Sequence, residues 1–176
     1  MIAATAREVA IRPVTEADAA LIVGWRGRDD VHCWLFAEER PTIEAHIQWF
    51  RSVKEREEFV IVWRGAPVGT CGLANVRVES GSAEYGIMLG EPVARGKGVA
   101  LRAGRLLLAR AFGPLGRSVV WAERFADNYA CARHLAGLGF VTVLPAPAPR
   151  TKDGVLRKTM RACVWPRPKM HPVVED

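Results

Sequence analysis

EPVARGKGVALRAGRLLLARAF, Glu91 to Phe112, is the stretch on which the fold turns. Its apolar residues Val99, Leu101, Leu106, Leu107, Leu108 and Phe112 predict a helix that stops near Gly113-Pro114. At its mouth Gly96, Gly98 and Ala100 stand with Arg95 and Lys97, and no acidic residue follows Glu91 for more than two turns. A helix start leaves backbone N–H groups without partners and carries partial positive charge, so small residues there let an anion come close. A phosphate or pyrophosphate suits such a doorway. Spacing disfavours two common phosphate loops. A Walker loop needs Ser or Thr after its G-K, and none follows Gly98. A dinucleotide fingerprint needs its first glycine directly after a strand, an entry that Glu91 and Pro92 interrupt.

Outward from this helix the pattern changes period. Upstream, EFVIVWRG from Glu58, PVGTCGLANVRVES and SAEYGIML alternate as strands, joined by the tight turns Arg64-Gly65-Ala66-Pro67 and Ser80-Gly81. An antiparallel meander is the economical arrangement. Nearer the N-terminus a short strand, Val9 to Val14, precedes a helix capped by Thr15 with Asp18 at its third position, and a second helix follows Pro41 with Thr42 as cap. Downstream, Ser118 to Phe125 reads as a strand and Asp127-Asn128 caps a helix to about Leu138 with Gly139 as its stop. Two last strands, Phe140 to Leu144 and Val155 to Val164, complete an α+β or mixed-sheet order.

The length of 176 residues suits one hydrophobic core, and 49% hydrophobic with 25% charged residues is ordinary for a globular chain. No apolar run approaches the ~18 residues of a membrane span, and Arg7 and Glu8 interrupt any leader-like start, so a cytoplasmic protein without membrane contact is expected. Cys33, Cys71, Cys131 and Cys163 show neither C-x-x-C nor His spacing, which argues against a metal site and a disulfide framework. The net charge of +6 favours anionic partners. Because its arginines are scattered, a nucleic-acid arm is not expected.

Two motifs together resemble one family. R-G-K-G-V-A resembles the R/Q-x-x-G-x-G/A loop of the GNAT superfamily of acetyl-CoA-dependent N-acetyltransferases, carried by Arg95, Gly98 and Ala100. NYACARHLAGLGF, Asn128 to Phe140, resembles that family's N-x-x-A-x-x-x-Y-x-x-x-G-F helix, with Asn128, Gly139 and Phe140 in register. The resemblance implies a single α+β domain over roughly residues 9 to 165, with a Pro-rich tail at 166–176 and a mixed, mostly antiparallel twisted sheet of about seven strands flanked by about four helices. It implies acetyl-CoA as acyl donor, its pyrophosphate on the amides of Arg95, Gly96, Lys97, Gly98, Val99, Ala100 and Leu101. Its pantetheine arm would lie along Ile87, Met88 and Leu89 and beside Asn128 and Cys131. The register also shows a departure: Leu135 stands where many members carry the tyrosine that protonates the leaving thiolate. His134 lies about 100° around the helix and Tyr129 on another turn, so helical geometry makes neither a ready substitute. Water or a hydroxyl such as Tyr85 is left for that task.

An amine arrives protonated and needs a base. Glu84, on the strand leading into the doorway, is the first candidate and Glu123, on the next strand, the second; a solvated carboxylate or an arginine pair is the plain alternative for each. Direct transfer in a ternary complex needs no covalent intermediate, so Cys131 has no nucleophile role. For the acceptor, WRGRDDVHCWLFAEERPTIEAHIQWF, Trp25 to Phe50, interleaves aromatics and cations, which suits a planar base bearing phosphates. It resembles the branch that acetylates nucleotide-linked amino sugars of the pseudaminic acid pathway type. The likeness implies Arg26 and His46 at the diphosphate, and Trp34, Phe36 and Trp49 around base and sugar. Protein N-terminal acetyltransferases of the ribosomal-protein type and aminoglycoside-modifying enzymes share much of the pattern, and a non-catalytic acyl-CoA sensor is the alternative that Leu135 leaves open. A small-molecule substrate is expected, for a monomer or a homodimer, with Val155 to Val164 as a sheet edge for a twin.

Overall fold

The computed structural model describes residues 9–76 and 81–166. Ser80 of the expected turn, and the expected tail from 167 on, lie outside them. Val9–Pro13 (β1) pairs antiparallel with Arg56–Trp63 (β2), β2 with Ala66–Ala74 (β3), and β3 with Ser82–Leu89 (β4). The meander expected from the alternation is therefore present. At the turn between β2 and β3, Arg64 and Gly65 have φ of 54° and 77°, the left-handed pair whose twist matches that of a hairpin. β4 then meets Val119–Phe125 (β5) in parallel, but only Ser82, Ala83 and Glu84 are in register, with Val119, Val120 and Trp121. Beyond these three pairs the strands part.

The C-terminal end departs from expectation. Val155 to Val164 is not one strand. Val155–Arg157 (β8) folds back on Arg150–Lys152 (β7) as a two-stranded ribbon, around Asp153 and Gly154 with φ of 50° and 74°. Only Thr159–Val164 (β9) enters the main sheet, between β5 and Val141–Val143 (β6). The seven-stranded order is β1-β2-β3-β4-β5-β9-β6. β9 is therefore an interior strand, and the edge proposed for pairing with a twin is already occupied.

Among the described residues five helices flank this sheet, in keeping with the expected α+β domain of about four. Ala19–Arg26 (α1) follows a 3₁₀ turn, where the Asp18 carboxylate accepts from Thr15 N at 2.8 Å and pairs with Arg12. The additional helix is the single turn Asp29–His32 (α2), whose two leading aspartates suit the positive end of the helix dipole. In Ile43–Ser52 (α3) the cap is as expected, with Thr42 Oγ1 accepting from Ala45 N at 3.1 Å. Val99–Phe112 (α4) and Tyr129–Gly137 (α5) complete the set.

The two faces of the sheet bury different residues because strand side chains alternate. Phe59, Ile61, Leu73, Ala83 and Tyr85 pack with α4 and α5, whereas Val60 and Met88 pack with Ile22 and Trp25 of α1. Half of the buried stripe of α4 is small: Ala103, Gly104 and Ala111 are buried with Val99, Leu107 and Leu108, while Leu106 is exposed. A helix seated this closely leaves little room. A Cβ at Gly104 would stand 2.7 Å from the Tyr85 hydroxyl and 2.7 Å from Leu138 Cδ1. No helix among the described residues is long and apolar enough to cross a membrane.

Candidate active site

The doorway has the backbone its glycines imply. Gly96 and Gly98 have φ of 70° and 73°, and no heavy atom lies within 4 Å of where either Cβ would stand. Gly98 caps α4, and the first intrahelical bond runs from Arg102 N to Gly98 O, so the leftover amides are those of Val99, Ala100 and Leu101. Beside them is a cavity of about 250 Å³ lined by Gly96, Gly98, Val99, Ala100, Leu101 and His134. The Val99 side chain is itself buried in the core, so only its backbone faces this hollow. Lys97 is exposed at the tip of the turn. Arg95 turns inward, donating to Asp30 Oδ2 at 2.6 Å and to the Leu89 carbonyl at 3.2 Å. No carboxylate among the described residues lines the hollow itself, whose backbone amides fit a diphosphate such as that of coenzyme A, while Arg95 at its edge is already paired with Asp30.

The parted strands open into a larger cavity of about 890 Å³ that reaches from Gly96 and Ala100 to α1 and α3. Ile87, Met88 and Leu89 line it from β4, and Asn128 and Cys131 from α5. Asn128 has a structural task besides, since its side chain accepts from Cys131 N at 3.0 Å and caps α5. The four cysteines are unbridged, and burial raises the Cys131 thiol pKa.

Three carboxylates face this larger cavity from the strands. Glu84 accepts from Asn75 Nδ2 at 2.9 Å, and its carboxyl is pushed up by burial, with Arg56 opposing and Glu123 reinforcing the rise. Glu123 has both oxygens engaged, Oε1 by Arg161 at 3.0 Å and Oε2 by Arg150 at 3.2 Å. The pairing alternative foreseen for it is therefore realised. The third, Glu58 on β2, was not among the candidates from sequence. It accepts from Arg56 Nε at 2.8 Å, and burial raises its carboxyl against the pull of Arg56 and Arg26. Only the strand register brings it here, so no local motif signals it.

Tyr85 points to the opposite face, into the α4 side, and its hydroxyl lies 2.8 Å from His134 Nε2 with the rings stacked at 5.9 Å. Helical spacing argued against His134, yet it meets Tyr85 because the packed helix turns this side chain, and not only Leu135, toward the sheet. Burial pulls the His134 imidazole down to about 4 and holds the Tyr85 phenol well above its ordinary value, so both are neutral at pH 7. Leu135 is buried in the core.

Arg26, Trp34, Phe36, His46 and Trp49 all line the larger cavity. His46 stacks on Trp49 at 5.4 Å, and its pKa is lowered by burial and then by Arg26. Phe36 meets Phe125 edge-on at 4.9 Å. Guanidinium groups already cover one side of each acceptor ring: Arg157 over Trp34 at 5.1 Å, Arg150 over Phe36 at 4.4 Å and Arg56 over Trp49 at 5.2 Å. Trp25, by contrast, is a packing residue. Its ring occupies the space a Gly90 side chain would need, and its Nε1 donates to Glu91 Oε1 at 2.7 Å.

This arrangement has relatives. The spermidine N-acetyltransferase of Vibrio cholerae, solved with CoA and spermine, superposes with a TM-score of 0.82 at 17% identity, covering 89% of this chain and 95% of that one. Mycobacterium smegmatis RimJ, in complex with CoA-disulfide, gives a TM-score of 0.81 at 21% identity over 94% and 86% of the two chains. An uncharacterised protein of Methanocaldococcus jannaschii is 24% identical over 136 residues, 76% of this chain, and the matched part spans 28% of that protein's length. The profile of the acetyltransferase (GNAT) domain matches residues 8–141. With the glycine doorway, the parted strands and this match over most of its length, the chain belongs to the GNAT acetyltransferase family, whose members are acyltransferases that draw on acetyl-CoA.

Proposed function

We propose that this acetyltransferase domain transfers the acetyl group of acetyl-CoA to the primary amine of a small molecule, directly and within a ternary complex. One observation carries the proposal: a single cavity runs from Gly96 and Ala100 at the helix start, past the parted strands, to strand carboxylates and an aromatic wall. Bound acetyl-CoA would supply the activated acetyl group and a thiol leaving group. The chain's own residues do the rest. The amides of Gly96 to Leu101 hold the diphosphate, the β4 backbone at Ile87 to Leu89 orients the pantetheine arm, and a carboxylate, Glu84 or Glu58, accepts a proton from the amine. Tyr85, with His134 beside its hydroxyl, stands in for the α5 tyrosine as proton donor to the leaving sulfur.

For the acceptor, the 4-amino group of a nucleotide-linked amino sugar is supported by the convergence of Arg26, Trp34, Phe36, His46 and Trp49 on one wall. A second class, polyamines, is favoured by a different observation, the carboxylates Glu58 and Glu84 on the cavity floor, and matches the named activity of the Vibrio cholerae relative. Incubation with acetyl-CoA and a panel of UDP-amino sugars, spermidine, aminoglycosides and peptides separates these classes. Acetylation of the amino sugar is the expected result. Turnover of peptide N-termini alone would overturn the sugar assignment, and tight coenzyme binding without turnover of any amine would make the domain a sensor.

A further inference from the structure

Glu58, Gly72 and Gly86 are aligned across three strands: Glu58 is in register with Gly72, and Gly72 with Gly86. Paired residues of neighbouring strands share a face, so the row lies on the α1 and α3 side, between the row Arg56, Ala74, Glu84 and the row Val60, Thr70, Met88. The two glycines clear it. A Cβ on Gly72 would stand 2.7 Å from both Cδ and Oε2 of Glu58, so the carboxyl group lies directly over the glycine backbone. One strand further, nothing comes within 4 Å of the Cβ position of Gly86, which is exposed to the cavity. Past Gly86 the sheet is open, because pairing with β5 ends at Glu84 and Trp121. Across the gap Glu123 has both oxygens taken by arginines. Glu84, one row away, shares its carboxylate with Asn75, whereas Glu58 gives Oε1 to Arg56 and turns Oε2 over Gly72.

On this geometry, and resting on the acetyl-transfer function proposed above, we infer that the lane over Gly72 and Gly86 seats the acceptor amine and that Glu58 is the group that deprotonates it. The bound ammonium loses one N–H proton to a Glu58 oxygen; an O–H bond forms, the carboxylate becomes neutral and the nitrogen lone pair is freed. Over the whole reaction one of the three ammonium protons stays on the amide nitrogen, one leaves through Glu58 to solvent and one balances the departing thiol. Burial raises the proton affinity of Glu58, which suits a base, while Arg56 and Arg26 keep its ionised form accessible.

Two variants of the full chain test this assignment with the amine that the wild-type protein turns over best. Glu58→Gln is expected to lower kcat/KM by roughly 10²–10⁴-fold and to remove the acidic limb of its pH profile, with calorimetric binding of coenzyme A unchanged. Gly86→Ala has room for its methyl in the folded chain, so its melting temperature should hold. The methyl fills the lane, however, and acceptor binding measured by calorimetry should weaken by about tenfold or more while coenzyme binding stays the same. Wild-type turnover with Glu58→Gln keeping its acidic limb, or Gly86→Ala binding the acceptor normally, would overturn this role alone. A wild-type chain that acetylates no amine would overturn the acetyl-transfer function and this role with it.

Discussion

Glu84 and His134 show how burial tunes single residues. Because burial raises the Glu84 carboxyl, any step that needs it ionised must fade at a higher pH than for an exposed glutamate. Glu84→Gln therefore tests whether it or Glu58 sets the acidic limb of the kcat/KM profile. If Glu58 is the base, the limb survives Glu84→Gln with a loss of about tenfold or less. His134 shifts the other way. In the fold it stays neutral down to about 4, whereas its ordinary value is 6.5, so between these values protons bind the unfolded chain preferentially. Its contribution to stability is whole above about pH 6.5 and is lost as pH falls through about 4, on the order of 3 kcal/mol in all. Denaturation at pH 7.5 and 4.5 checks this: His134→Gln should lose less stability across that interval than the wild-type chain. Such residues were legible in sequence to different degrees. Glu84 was read from its place on the strand before the doorway, and Tyr85 only as a hydroxyl left for a task that Leu135 cannot perform. Glu58 was not, since its approach to the cavity depends on pairing with Gly72, which lies 14 positions away (72 − 58) and is fixed only by sheet register.

Elements carry their own consequences. Gly104 on α4 is a weak helix former, and alanine there would ordinarily add about 1 kcal/mol of helix stability. Here the new methyl meets the Tyr85 hydroxyl, so Gly104→Ala should instead destabilise by about 1–3 kcal/mol and disturb the bond to His134, measurable by chemical denaturation. The ribbon of β7 and β8 braces the acceptor wall from outside. Buried Lys152 donates to the Ala37 carbonyl at 2.6 Å and lies 3.0 Å from His32 Nε2, which is also 3.2 Å from the Glu38 carbonyl, and Arg157 donates to the Cys33 carbonyl at 2.9 Å. Lys152→Met removes the donor to the Ala37 carbonyl and the contact with the buried His32, and a loss of about 1–3 kcal/mol is expected in thermal or urea unfolding. None of this bracing was readable in the sequence, where Val155 to Val164 reads as one strand. What split it is tertiary: Lys152 and Arg157 are drawn to carbonyls more than a hundred positions away. The caps at Thr42 and Asn128 and the turn at Arg64-Gly65, by contrast, are local chemistry, and they were visible in the sequence for that reason.

At the scale of the whole molecule, the net charge of +6 should make coenzyme binding sensitive to ionic strength. Raising salt from about 50 to 500 mM is expected to weaken coenzyme A binding several-fold by calorimetry, because screening shortens the reach of the arginines. The order of elements was legible because alternating and helical periods differ so plainly along the chain. The strand order was less so, since the entry of β9 between β5 and β6 is a long-range choice that no local pattern encodes. That order gives the molecule two wings, four strands on one side and three on the other, joined across the sheet by the short hinge of Ser82–Glu84 against Val119–Trp121. Beyond that hinge the Leu89 carbonyl accepts from Arg95 and the Phe125 carbonyl from Arg124, but β4 and β5 do not pair with one another. A ligand with amides of its own, lying between them, would stitch the wings together, so slower deuterium uptake at 85–89 and 122–125 should report its arrival, even where no bond is made or broken.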